Sequence, residues 1–234
     1  MTGQSSFYRK LFLINKNLSQ APRMRDPAKE GVMQKLSVFL QLVPLLFVAV
    51  NIHAADISIG KKLPDITIKD LGLMTFDYVV KDGQMVCKKD CEPAYRGWST
   101  AELQGKVSIL FHLAARMGTY KMNRDLLYAI AEAGFPDKLP DAPCKVITIL
   151  NTDDAIWGTS DIARNKFIKL QKKFPHYLHI IDEEGIALQN WSLTEKGSSV
   201  LITDKNGTVV FFKEGTLNTT ERETALTKIK QLLE

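Results

Sequence analysis

Three groups of residues carry side chains that could do chemistry. Cys87 and Cys91 lie four positions apart in Val86-Cys87-Lys88-Lys89-Asp90-Cys91. An oxidising compartment would pair them, and if they were reduced the adjacent lysines would favour a thiolate. His112 and Arg116 form the second group, offering a general base near neutral pH and an anion clamp. Asn151, Asp153 and Asp154 form the third, and either aspartate could orient the histidine or the arginine. Trp157, next to Gly158 in a polar stretch, is the aromatic placed to line a ligand crevice. The same residues also admit a structural reading. His112 would then be a satisfied strand histidine, Arg116 would pair with Asp153 or Asp154, and the Asn-Thr-Asp-Asp run would cap the next helix.

Other chemistries find less support. His176 and His179 are spaced wrongly, and sit too far along the chain, to complete a closed zinc site with the cysteine pair. No nucleophile elbow, phosphate loop or zincin motif occurs. Cys144 reads as a small buried hydrophobe. Asp182-Glu183-Glu184, followed by Gly185, reads as a turn and not a metal cluster. The chemistry predicts neither a cofactor nor a metal.

The elements that must hold these residues alternate. Strands are expected at Val107 to Leu113, Val146 to Leu150, Leu178 to Asp182, Val200 to Thr203 and Thr208 to Lys213. One amphipathic helix carries Met122, Leu126, Leu127, Ile130 and Ala133 and stops at Gly134. A second starts near Ser160 with Ile162, Phe167, Leu170 and Phe174 on one face. A third opens with Thr220 and Glu223 in capping-box spacing and places Leu226, Ile229, Leu232 and Leu233 on one stripe. Asp204-Lys205-Asn206-Gly207 reads as a tight hairpin with positive φ at Asn-Gly. A further hairpin is expected within Leu63 to Lys89, turning at Asp82-Gly83. The order is α/β, a central mixed sheet flanked by helices with an N-terminal β-hairpin elaboration. His112 and Arg116 then lie with Asn151, Asp153 and Asp154 beyond the carboxyl ends of parallel strands, where open sheets bind ligands.

The first 54 residues read as a leader. Lys35 precedes an apolar run of 15 residues, Leu36 to Val50, and Ala54 supplies a small residue for cleavage. The run is shorter than the ~20 residues a membrane-spanning helix needs, so no stable anchor is expected after cleavage. Residues 1–32 would make an unusually long basic region, which points to a translation start at Met24 or Met33. The expected organisation is therefore a leader at 1–54, an elaboration at 55–96 and the α/β domain at 97–234, in an exported protein; the resemblance described below implies the periplasm.

Charge follows the same division. The chain has 31 Lys and Arg against 26 Asp and Glu, a formal +5, but seven of those basic and two of those acidic residues lie in the leader. The remainder carries 24 of each and is neutral. The basic excess belongs to export, and no nucleic-acid partner is expected. The lysines at 166, 169, 172 and 173 read as a solvated helix face.

Two longer stretches carry a resemblance. Glu102 to Val107 leading into Ser108-Ile109-Leu110-Phe111, with Ser198 to Gly207 running into Val209-Val210-Phe211, resembles periplasmic thioredoxin-like proteins. Phe111-His112-Leu113-Ala114-Ala115-Arg116 and Asn151-Thr152-Asp153-Asp154-Ala155-Ile156 resemble the signatures of the YtfJ family, small secreted bacterial proteins without a settled activity. The resemblance implies a thioredoxin-like fold from Gly97 onward. The chain departs from redox members in two places. Arg116-Met117-Gly118-Thr119-Tyr120 stands where they carry Cys-x-x-Cys, and Ser198 stands at the position matching their cis-proline. The expectation is a binding protein for a protein, peptide or small anionic ligand near Arg116, Asn151, Asp153, Asp154, Trp157 and Ser198. The alternative is an enzyme, either a thiol-disulfide oxidoreductase using Cys87 and Cys91 or a hydrolase using His112.

Overall fold

The computed structural model describes residues 56–82, 84–88, 91–136 and 142–234, so the expected leader lies outside the described residues. In chain order the elements are β1 (Thr67–Thr75), β2 (Tyr78–Lys81), β3 (Gln84–Cys87), β4 (Ala94–Ser99), β5 (Val107–Ala114), α1 (Thr119–Met122), α2 (Arg124–Glu132), β6 (Cys144–Asn151), α3 (Ser160–Lys173), β7 (Leu178–Asp182), α4 (Ile186–Asn190), β8 (Ser198–Thr203), β9 (Val209–Glu214) and α5 (Thr219–Leu233).

Seven strands form one mixed sheet in the order β4-β1-β7-β6-β5-β8-β9. β5, β6 and β7 are parallel, and β8 returns antiparallel to β5. The parallel strands are apolar on both faces because helices or chain cover both. Val107, Ile109 and Phe111 face α2 and α5, where Leu126, Ile130, Ala225 and Ile229 close over them. Leu113, Leu150 and Ile181 meet Phe167 of α3 on that same face. Leu110, Ile147 and Ile149 pack on the other face against Ala187, Trp191 and the chain before β1. His112, two residues beyond Leu110, therefore points to the α4 side.

Several local expectations are corrected. The helix at Met122 to Ala133 is two pieces, because Asn123 leaves helical geometry between α1 and α2. Ile162 lies 57% exposed and is not on the buried face of α3. The capping box of α5 is Asn218 with Glu221, two residues before the expected pair. The β8–β9 connection is a five-residue loop tied by Asp204, whose carboxylate accepts from Asn206 N and Thr208 N. Positive φ there falls on Gly207, without Asn206.

The N-terminal region divides in two. β2 and β3 form a separate two-stranded sheet, an antiparallel hairpin in which Lys81 pairs with Gln84. β1 and β4 instead extend the central sheet through β7, and β4 runs across position 96. Gly72 lets them meet: a Cβ there would stand 2.5 Å from the Arg96 carbonyl oxygen.

Candidate functional site at the ends of β5 and β6

β5 and β6 end together. Ala114 pairs with Asn151, and Ala115 N donates to Asn151 O at 2.8 Å. Each strand then runs into a turn of the same build. In Arg116-Met117-Gly118-Thr119, Thr119 N donates to Arg116 O at 3.4 Å, and the Thr119 hydroxyl lies 2.8 Å from that same oxygen. In Ile156-Trp157-Gly158-Thr159, Thr159 N donates to Ile156 O at 2.8 Å and its hydroxyl donates there at 2.6 Å. The third residue of each is glycine at positive φ, +96° and +77°, the conformation such turns demand. The second residue of each is thrust into water: Met117 is 97% exposed and Trp157 98%. Trp157 thus lines no crevice and stands at a turn tip. Tyr120 and Ile156, both about half exposed, flank the tips.

The polar residues sit beneath. His112 is buried, its Nε2 has no hydrogen-bond partner, and burial pushes its pKa down to about 4 against the opposing charge of Asp154. It is therefore neutral at physiological pH. Asp154 joins two loops by accepting from Asn151 Nδ2 at 3.2 Å and Lys196 N at 3.1 Å. Asn151, fully buried, also accepts from Asp153 N at 3.0 Å. Asp153 is exposed, and its carboxylate lies against Gly185 at the start of α4. Among the described residues Arg116 makes no salt bridge with either aspartate, and its Nε is buried without a partner. No hydrogen bond links His112 to either carboxylate.

Ser198 follows a trans peptide bond, and its hydroxyl accepts from Asn123 Nδ2 at 3.2 Å. Asn123 also donates to Gly215 O at 2.9 Å and accepts from Leu217 N at 3.0 Å, so it ties the α1–α2 break to β8 and to the segment before α5. Its signal in the sequence was a short polar side chain inside an apolar helical pattern, the kind that competes with helix for backbone bonds. Asp182, read above only as part of a turn, ends β7 and holds the start of α4. Its buried carboxylate accepts from Ile186 N and Ala187 N, both at 2.9 Å, and burial raises its pKa against those donors.

The cysteines lie elsewhere in the fold. Cys87 and Cys91 form a disulfide at the end of the β2–β3 hairpin. Cys144 is buried at the first residue of β6, the opposite end from the turns. Two cavities, of about 320 and 260 Å³, open beside Phe174 and Tyr177 and beside Leu63 and Thr100, and neither is lined by the site residues. Among the described residues no group of three or more His, Cys, Asp or Glu is arranged to hold a metal.

A family model described as a bacterial protein of unknown function (YtfJ_HI0045) matches residues 58–232. The chain belongs to this family. It is 34% identical over 180 residues to the uncharacterized protein YtfJ of Escherichia coli (strain K12), covering 77% of this chain and 89% of that one. An uncharacterized protein of Haemophilus influenzae is 28% identical over 180 residues, covering 76% and 89%. A Chlorobium tepidum structure named as a thiol:disulfide interchange protein, DsbE, superposes with a TM-score of 0.50 at 14% identity, over 76% of this chain and 100% of that one. The fold is thioredoxin-like. At that identity the likeness carries no activity across, and in this member of the YtfJ family the turn after β5 holds Arg116 and Thr119 with no thiol.

Proposed function

We propose that this protein is exported to the periplasm and acts there as a docking protein, binding a polypeptide partner at the turn edge instead of exchanging thiols. The observation that carries this reading is the pair of matched turns, which hold Met117 and Trp157 almost wholly in water. A stray exposed apolar residue means little, but apolar side chains held out at the tips of two turns that follow neighbouring strands mark an interaction site. The small anionic ligand considered above fits less well, because these side chains form tips and not a pocket. Export rests on the leader at 1–54.

A photoreactive residue introduced at Tyr120, beside the tips, tests docking in the living cell. A discrete polypeptide adduct is expected, and irradiation that yields none would sink the reading. Cell fractionation with N-terminal sequencing should find the protein in the periplasm beginning at Ala55; cytoplasmic protein retaining the leader would count against export. Insulin reduction separates the enzymatic alternative. No turnover is expected, and a rate abolished by Cys87→Ala would replace docking with thiol chemistry.

A further inference from the structure

We infer that the polypeptide taken by the turn edge is a second copy of this chain, in a closed two-fold contact. This rests on the docking reading above and names its partner. Three observations carry it.

The first is the doubling of the turn. Arg116–Thr119 and Ile156–Thr159 follow neighbouring parallel strands, share the backbone bond to the first carbonyl with a threonine hydroxyl beside it, and present one apolar tip each. A pair of like tips carried on neighbouring strands can meet the same pair turned by half a rotation. A contact of that kind closes on itself.

The second is charge. Arg116 begins one turn and finds no carboxylate partner among the described residues. Asp153 precedes the other, exposed, and finds no cation partner there. One unpaired cation and one unpaired anion on adjacent loops are self-complementary under a two-fold axis, Arg116 of each copy meeting Asp153 of the other.

The third is area. At ~150–250 Å² for a large aromatic side chain, Trp157 and Met117 with the exposed halves of Tyr120 and Ile156 offer roughly 600 Å². That is short of the ~800 Å² one partner contributes to a standard interface, yet two copies together bury about 1,200 Å², the lower bound for a specific one. An interface at this lower bound suits a reversible dimer and not an obligate one.

Sedimentation equilibrium of the purified protein up to roughly 100 μM tests this. A monomer–dimer equilibrium is expected, weakened at least about tenfold by Trp157→Ser. Arg116→Asp and Asp153→Arg should each weaken it alone, and mixing the two variants should restore a heterodimer. That rescue also guards against a variant that merely misfolds. A monomer throughout, a dimer indifferent to Trp157→Ser, or an open-ended series of assemblies would overturn the inference. The photoreactive residue at Tyr120 keeps the two readings apart. A monomer that crosslinks to a different protein removes the second copy and leaves docking standing, whereas a monomer with no adduct removes both.

Discussion

The turn edge and the β2–β3 hairpin both leave apolar side chains in water, Trp157 and Met117 at one, Val80 (76% exposed) with Val79 and Val86 at the other. They are held by different means. The turns end strands from the middle of a seven-stranded sheet, and their loops are fastened from below by Asp154, Asn151 and Asn123. Among the described residues the hairpin pairs with no third strand; the Cys87–Cys91 disulfide pins the chain where β3 ends, and Tyr78 reaches the Gln171 carbonyl oxygen of α3. An isolated two-stranded ribbon is at best marginally stable in water, so the hairpin leans on its covalent link, while the turns inherit the order of the sheet. Rigid display at the edge therefore depends on buried polar groups, which acid or mutation can attack, and display at the hairpin depends on a bond that a reductant can attack.

Acid should act most strongly, and on the sheet. His112 lies under the turns on one face, and His179, fully buried on β7, lies on the other with Nε2 unpartnered; burial depresses each pKa to about 4. Both are neutral when folded and take up protons near pH 6.5 when unfolded, so their contribution is complete above pH 6.5 and is lost as pH falls toward 4. Each shift corresponds to roughly 3 kcal/mol. Asp182 works in the opposite sense, because its raised pKa makes the folded state the better proton binder. Urea midpoints should therefore fall steeply between pH 6.5 and 4, with a shallower fall in His179→Gln. A flat profile would show that the buried polar layer does not govern the sheet. Next in size, Asn123→Leu strands Leu217 N, Gly215 O and the Ser198 hydroxyl and should cost about 2–4 kcal/mol, read as a lowered thermal midpoint. A loss under about 0.5 kcal/mol would detach Asn123 from the support of the edge.

The elements legible in the sequence are those set by local pattern. β7 falls at Leu178–Asp182 as its β-branched run predicts, and β5, β6, β8 and β9 lie within two residues of expectation. What was illegible depends on distant partners. Asn123 bonds groups 75 to 94 residues away, and nothing near it announces that. β1 was obscured by its bulge, where Leu71 and Gly72 take positive φ and the alternation of a strand breaks. For the site, the sheet's topology brings Arg116, Asn151, Asp153 and Asp154 to one end, as chain order alone suggested. The exposure of Trp157 could not be read, because a tryptophan's default is burial and its position hinges on a turn whose hydroxyl bond links residues 156 and 159. The sequence did show Met-Gly-Thr and Trp-Gly-Thr, twice the same pattern, and that repeat was the signal available.

The hairpin offers the next contrast. Replacing Cys87 and Cys91 together by serine removes a crosslink over a five-residue loop, worth roughly 2 kcal/mol on the chain-entropy model. Its effect should stay local: faster amide exchange across Tyr78–Lys81 and Gln84–Cys87, with protection in β5 and β6 unchanged. Exchange that quickens equally in both regions would erase the distinction between covalent and buried polar support.

The smallest effect on stability should come from the tips themselves. Trp157→Ser and Val80→Ser remove side chains that water already surrounds, so each should move the thermal midpoint by no more than about 0.5 kcal/mol equivalent. Equal silence in stability is what makes the pair informative. If the edge docks polypeptide and the hairpin does not, crosslinking from a photoreactive residue at Tyr120 should vanish in Trp157→Ser and persist in Val80→Ser. Loss in Val80→Ser alone would move the interaction surface from the ends of β5 and β6 to the hairpin, and the matched turns would then be a feature of the scaffold.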